Sequence, residues 1–574
     1  MSEYDLIIRA GTVVDGSGGA PFTADVAIRD GLIAEVGAVS GTAAREIDAD
    51  GAIVAPGFVD IHTHYDGQVT WDERLQPSSW HGVTTVVMGN CGVGFAPALP
   101  HDRDRLIELM EGVEDIPGIA LSEGLPWNWE TFGEYLDSLD GKARDLDFAT
   151  QVPHAAVRVR AMGDRALAHE QATAAEIAEM AEITAEAIRA GALGFTTSRT
   201  LNHKSINGEL ITSYGAGRDE LVAIAEAIGE TGTGVLQMVT DFDDVDVDMD
   251  LMAAMTGASR RPMSVSVVHS VNRPDRHHEI MAGFDRLRAA GHDVQGQVSA
   301  RGIGLILGHE LTLNPFRHNP SYLKIADLPL PERVAAMRTR EVREAILADG
   351  VVTDVPVLGA RFLNMFNEMF ELADPPNYEP DPSENIIARA AALGVTPEEL
   401  AYDIMLADEG HGMLYLTFAN YVDGSLDGLK ELLEHPAIIP GLSDGGAHVG
   451  TICDGSFPTT LLQHWVRDRE RGRLPLEYIV RAQARRTAEA VGLFDRGLLK
   501  PGYRADVNVI DLDGMHLHRP EVHHDLPAGG RRLLQRADGY RHTIVAGQET
   551  YRDGEPTGAL PGRLVRGAKP NPAA

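Results

Sequence analysis

From Phe58 to Asp444 short apolar runs alternate with longer amphipathic ones, and this alternation restricts the fold more than any other feature of the chain. Val83-Thr84-Thr85-Val86-Val87-Met88 reads as a buried strand that ends in Gly89-Asn90-Cys91-Gly92. Residues 174–190, rich in Ala, Glu and Ile, read as a helix, with Thr173 and Glu176 in the spacing of a capping box. Strands follow at 191–196, 234–239, 265–269 and 294–298, with helices at 219–228 and 278–290 between them. Further helices are expected at 331–349, 383–393 and 426–435, the last preceding the run Ile438-Ile439-Pro440-Gly441-Leu442-Ser443-Asp444. Such alternation predicts an α/β fold with a parallel sheet, and the count favours a TIM-like (β/α)8 barrel, whose chemistry sits at the C-terminal strand ends.

The two termini have a different texture. Leu6-Ile7-Ile8, Thr12-Val13-Val14 and Leu32-Ile33-Ala34-Glu35-Val36 are strand-like, with turns at Asp15-Gly16 and Asp30-Gly31. The same pattern returns at 505–510 and 543–547. Neither piece has enough strands for a stable sheet alone, so a small β-sandwich domain built from 1–55 and 497–574 is expected. The barrel then occupies 56–496, with insertions at about 101–147 and 311–349. The acidic run Asp241-Phe242-Asp243-Asp244-Val245-Asp246-Val247-Asp248 lacks the spacing and glycine of a calcium loop and reads as a solvated loop.

A net charge of -35 argues against nucleic acid or an anionic membrane as partner. The only cysteines, Cys91 and Cys453, form no disulfide framework and fit a reducing compartment. With no basic-then-apolar N-terminal segment and no apolar run near ~20 residues, the cytoplasm is the expected location.

Ligand-type residues collect at the ends of the expected strands. In Asp60-Ile61-His62-Thr63-His64 the first, third and fifth side chains share one face, so two imidazoles can hold one metal ion with Asp60 behind them to accept a ring N–H. Cys91, His269 and Asp444 follow later strands. Singly each has an ordinary explanation: a buried small hydrophobe, a core histidine, a helix N-cap. On one barrel rim they make a metal site, and imidazole and thiolate with a carboxylate point to Zn²⁺.

His62-Thr63-His64, the run from Gly82 to Gly92, Gly191-Ala192-Leu193-Gly194-Phe195 and Ser443-Asp444-Gly445 resemble the amidohydrolase superfamily, specifically its N-acyl-D-amino-acid deacylase branch. The return segment from Arg496 to Asp506 is similar as well. The resemblance implies hydrolysis of a non-peptide or N-acyl amide C–N bond in a small-molecule substrate. His62, His64, Cys91 and Asp444 would surround metal, and Asp444 would take a proton from metal-bound water and pass it to the departing nitrogen. His448 would orient substrate, steady the oxyanion or pack behind the site.

Three positions depart from the branch. Gln237 stands where it carries a metal-binding histidine, which weakens the second site with Cys91 and His269 and leaves one catalytic Zn²⁺ as the expectation. Val271 and Ile452 stand where a lysine and an arginine would hold a substrate carboxylate, with Arg301 and Gln237 as substitutes for substrate contact. Opening of a cyclic amide, as in hydantoinase and dihydropyrimidinase relatives, is a second reading, and a catalytically silent barrel that binds a partner is a third. Assembly of several copies of the chain is left open.

Overall fold

Short runs buried along most of their length form the inner strands, Val83–Met88 among them rich in β-branched residues, as a parallel sheet covered by helices requires. The computed structural model describes residues 2–355 and 360–572. Its inner strands are β1 (Phe58–Asp60), β2 (Val83–Met88), β3 (Asp147–Thr150), β4 (Gly194–Arg199), β5 (Val235–Thr240), β6 (Met263–Ser266), β7 (Val294–Val298) and β8 (Ile438–Pro440). β1, β2 and β3 pair in parallel, and β4 to β8 do the same in sequence order. Val152–Pro153 carries β3 past Gln151 into pairing with β4. Beyond the last strand, a parallel bridge joins Gly445 to Thr63, with His64 N–H donating to Gly445 O at 2.8 Å and Asp444 N–H to His62 O at 3.0 Å. The first and last strands are thereby tied together at their C-terminal ends.

The helices that matter below are α1 (Arg103–Glu114), α2 (Ala174–Ala190), α3 (Arg218–Glu230), α4 (Val245–Ser259), α5 (Arg276–Ala289) and α6 (Asp427–Glu434). The α2 capping box forms as the sequence predicts, Thr173 Oγ1 accepting from Glu176 N–H and Glu176 accepting from Thr173 N–H. The acidic run at 241–248 is the expected loop only as far as Asp244, and from Val245 it is helix. Asp244 caps α4 by accepting from Val247 N–H at 3.1 Å, and Asp246 and Asp248 lie in its first turn, where the helix dipole favours negative charge. The helix expected over 331–349 is two, Leu330–Met337 and Arg340–Asp349, because Thr339 caps the second.

Strands from both termini share one mixed sheet. Ile53–Pro56 pairs antiparallel with Val507–Ile510, which joins the early strands Tyr4–Val13, Phe22–Arg29, Leu32–Gly37 and Ala43–Asp48 to the late ones Tyr540–Val545 and Gln548–Arg552. One apolar cluster against it contains Leu6, Ile8, Val26, Val507 and Ile544, and another Tyr4, Ile7, Ala27 and Val39.

The excursion between β2 and β3 is helical and packed down, its buried Trp129 donating to Phe95 O at 2.8 Å. The one between β7 and β8 extends past the expected 311–349. It includes an antiparallel sheet of Ile303–Leu307, Met369–Glu371 and Leu414–Ala419, with its own core around Leu307, Phe316, Tyr322, Ile346 and Tyr402. Among the described residues no helix is long and apolar enough to cross a membrane.

Candidate active site

His62 and His64 follow the end of β1, His62 at a bend, and both imidazoles are fully buried. His62 Nδ1 pairs with Gln297 Oε1 at 2.8 Å, and Gln297 Nε2 donates in turn to Ser264 Oγ at 2.7 Å, so a neutral amide fixes that ring. Asp60, expected in that role, instead accepts from the Ser443 hydroxyl and from His62 N–H, and burial pushes its carboxyl up to about 7. The free edge of His62, Nε2, lies 3.3 Å from Cys91 Sγ. Burial lowers His62 to about 4, which keeps the ring neutral and able to donate a lone pair.

Cys91 is presented by a tight turn after β2. Gly89 has φ +80 and Cys91 φ +55, and a Cβ on Gly89 would lie 2.3 Å from Gln151 O. Burial, then the nearby carboxylates of Glu114, Asp444 and Asp66, raise the Cys91 thiol well above its ordinary value. Asp444 enters from the loop after β8. Its Oδ1 is 3.4 Å from His62 Nε2 and 3.6 Å from His64 Nε2. Burial alone would raise this carboxyl, but the His64 ring facing it at 3.6 Å and the charges of His62, His64 and His448 hold it below the usual range. One turn on, His448 Nε2 is 3.9 Å from Asp444 Oδ2.

The sequence reading missed Glu114. The last residue of α1, it reaches in from the β2–β3 excursion, 1% exposed. Its Oε1 is 3.3 Å from His64 Nδ1 and its Oε2 3.6 Å from His448 Nε2, while its backbone carbonyl accepts from His448 N–H. Burial and the charges of Asp444 and Asp66 push its carboxyl well up. One signal was present: Glu114 falls four residues after Met110 and seven after Ile107, on the buried stripe of α1. His203 was also missed; it bonds Ser198 Oγ at 2.8 Å, and burial, then the charges of His448 and His64, lower it to about 3.

His62, His64 and Cys91 each offer a ligand atom, all within 4.8 Å of one another. Both ring nitrogens of buried His64 lack a hydrogen-bond partner, although the Asp444 and Glu114 carboxylates face them. Neutral imidazoles, a buried thiol and a facing carboxylate are a donor set that a Zn²⁺-type cation satisfies and that an apolar or anionic guest does not.

The remaining predicted residues fall elsewhere. Gln237 pairs in register with Thr196 and Ser264, whose side chains reach the Cys91 loop and Gln297, and both its amide atoms are buried without a partner. His269 is not brought to the group. β6 stops at Ser266, and the following loop turns the ring outward, where Nε2 donates to Pro274 O at 3.0 Å and the ring fills the space left by the missing side chain of Gly428. Arg301 is buried and committed to Asp454 at 2.8 Å, Cys453 O and Ser456 Oγ, with its guanidinium 3.5 Å from the Tyr378 ring centre, so it is not free to hold substrate. Ile452 lies in the core of the late excursion, and Val271 is partly exposed.

Comparison with known proteins supports the same chemistry. The chain is 27% identical to the D-aminoacylase of Alcaligenes xylosoxydans xylosoxydans, covering 98% of this chain and 97% of that protein. It is 28% identical to the N-acyl-D-glutamate deacylase of the same organism, over 99% and 97% respectively. The crystal structure of N-acyl-D-glutamate deacylase from Bordetella bronchiseptica, complexed with zinc and a phosphonate inhibitor, superposes with a TM-score of 0.64 at 24% identity, covering 98% of this chain and 99% of that one. A model of the Amidohydrolase family matches residues 45–551. That span takes in every inner strand together with His62, His64, Cys91 and Asp444, and the chain belongs to the Amidohydrolase family.

Proposed function

We propose that the protein is a Zn²⁺-dependent hydrolase of a non-peptide amide C–N bond, resembling the N-acyl-amino-acid deacylases. The observation that carries this is the meeting of His62, His64 and Cys91 opposite the Asp444 carboxylate. We read the ring of parallel strands as a TIM-like barrel at about 56–496 and the mixed sheet of both termini as its small β-sandwich companion. A thiol donor suits a reducing compartment, and we place the protein in the cytoplasm.

His62, His64 and Cys91 would hold the ion, with Asp444 beside it and the amide of Gln237 as a weak further donor. Zn²⁺ held there supplies a Lewis acid for the amide carbonyl and brings water into ionisation near pH ~7. Asp444 takes the proton of the attacking water on Oδ1 or Oδ2 and returns it to the amide nitrogen as the C–N bond breaks. His448, beside Oδ2, faces the carbonyl oxygen as charge develops on it. Glu114 faces both His64 Nδ1 and His448 Nε2, one ligand and one substrate-facing ring against a single carboxyl.

Asp444 is the carboxylate held anionic beside the donors, burial pushing Glu114 and Asp66 toward their protonated forms, while Val271 and Ile452 offer no cation and Arg301 is already paired. An uncharged acyl amide fits this field better than a substrate with a free carboxylate. A panel of N-acyl D- and L-amino acids, their carboxyl-free amides and hydantoins, assayed with Zn²⁺, tests the reading. Turnover of the carboxyl-free amides first, abolished in His64→Asn, is expected. Selective turnover of free carboxylates overturns the specificity argument, and turnover of none overturns the enzyme.

A further inference from the structure

A second group of metal donors lies outside the barrel mouth. His277 and His278 occupy the first turn of α5, and Glu431 projects from α6. His277 Nε2 is 3.3 Å and His278 Nε2 2.8 Å from the same oxygen, Glu431 Oε2. Consecutive helical residues diverge by about 100°, so their convergence on one atom is a specific arrangement. The two rings are 3.9 Å apart between centres, and His269 packs on the other side of His277 at 4.3 Å. Buried Nδ1 atoms of His277 and His269 have no hydrogen-bond partner.

Both contacts are of hydrogen-bond length, and their spacing is also close to that of ligands sharing one ion. Ligands about 2.0–2.1 Å from a tetrahedral metal stand about 3.3–3.4 Å apart. His277 Nε2 and Glu431 Oε2 already have that separation, and Glu431, 54% exposed on its side chain, can withdraw from His278 by the half ångström that remains. Two imidazoles with one carboxylate suit Zn²⁺, Ni²⁺ or Co²⁺ and do not suit Ca²⁺ or Mg²⁺, which take oxygen ligands.

We propose that His277, His278 and Glu431 form a second, separate binding site for a divalent transition-metal ion, which ties the loop after β6 to α6. The barrel-mouth donors are not shared with it, so its occupancy supports the rim of the fold and not the bond-breaking step. The loop it secures carries His269 and Val271.

Equilibrium dialysis of the full-length protein against Zn²⁺, with metal counted by atomic emission, tests this. His278→Ala and Glu431→Gln, at half-exposed positions, should each bind one equivalent fewer than the unaltered chain, or bind it at least 10-fold more weakly, with amide hydrolysis unchanged. In a His62→Asn/His64→Asn chain one equivalent should remain, and it should vanish when His278→Ala is added. Co²⁺ bound to that double variant should lack the sulfur charge-transfer absorption that Cys91 ligation produces. Equal stoichiometry and affinity in all single variants, or no metal uptake by the double variant, overturns the proposal.

Discussion

Asp444 and Glu114 both lie within 4 Å of His448 Nε2, yet their surroundings treat them in opposite ways. Asp444 is partly open and held anionic by three imidazoles, as a base requires; Glu114 is sealed off and driven toward its protonated form. Asp444→Asn should therefore lower kcat/KM by roughly 10²- to 10⁴-fold while Zn²⁺ is still bound, measured by steady-state kinetics beside metal analysis. Glu114→Gln should weaken metal binding by about 10- to 100-fold, with Glu114→Asp recovering part of it. His62, His64, Cys91 and Asp444 were legible because each directly follows a strand whose pattern is plain in the sequence. Glu114 was not, since a helix 50 residues beyond His64 delivers it. His269 was misread because β6 ends at Ser266, three residues before the expected strand does, and Gly428 opens room for the ring on the outer side.

Among the elements, turns and caps do most to place these side chains. Gly89→Ala forces a Cβ onto Gln151 O in left-handed backbone, and should cost roughly 1–3 kcal/mol in urea unfolding together with Cys91-dependent metal binding. Thr173→Ala at the α2 capping box lies far from the donors in its interactions, and should cost about 1 kcal/mol with kcat/KM unchanged. The box was readable from two residues at fixed spacing. The start of α4 was not, because an acidic run suits a solvated loop and a helix first turn equally well until tertiary packing decides. Likewise the long β7–β8 excursion folds around a core of its own, and its strands belong to no period shared with the inner parallel strands.

At the scale of the whole molecule, Asp145, just before β3, links the inner parallel strands to the sheet of the termini. It accepts from Tyr551 Oη–H at 2.7 Å and from Leu75 N–H at 3.1 Å, and burial raises it to about 6. Below pH ~4 the folded and unfolded chains both carry this proton; between about 4 and 6 the unfolded chain releases it first, so stability falls as pH rises and levels off above that window. A carboxyl moved this far corresponds to about 3 kcal/mol. The stability of Asp145→Asn relative to the parent chain should thus improve by up to that amount from pH 4 to 6.5, read from paired urea titrations.

Asp60 and Ser443, hydrogen-bonded to one another, are 383 residues apart in the chain, and the donors on either side of that contact are separated as widely. During synthesis the imidazole pair leaves the ribosome long before the carboxylate that will face it. A nascent or C-terminally clipped polypeptide therefore carries the donors without the carboxylate that faces them, and the pocket becomes competent only once the final strand has docked beside the first.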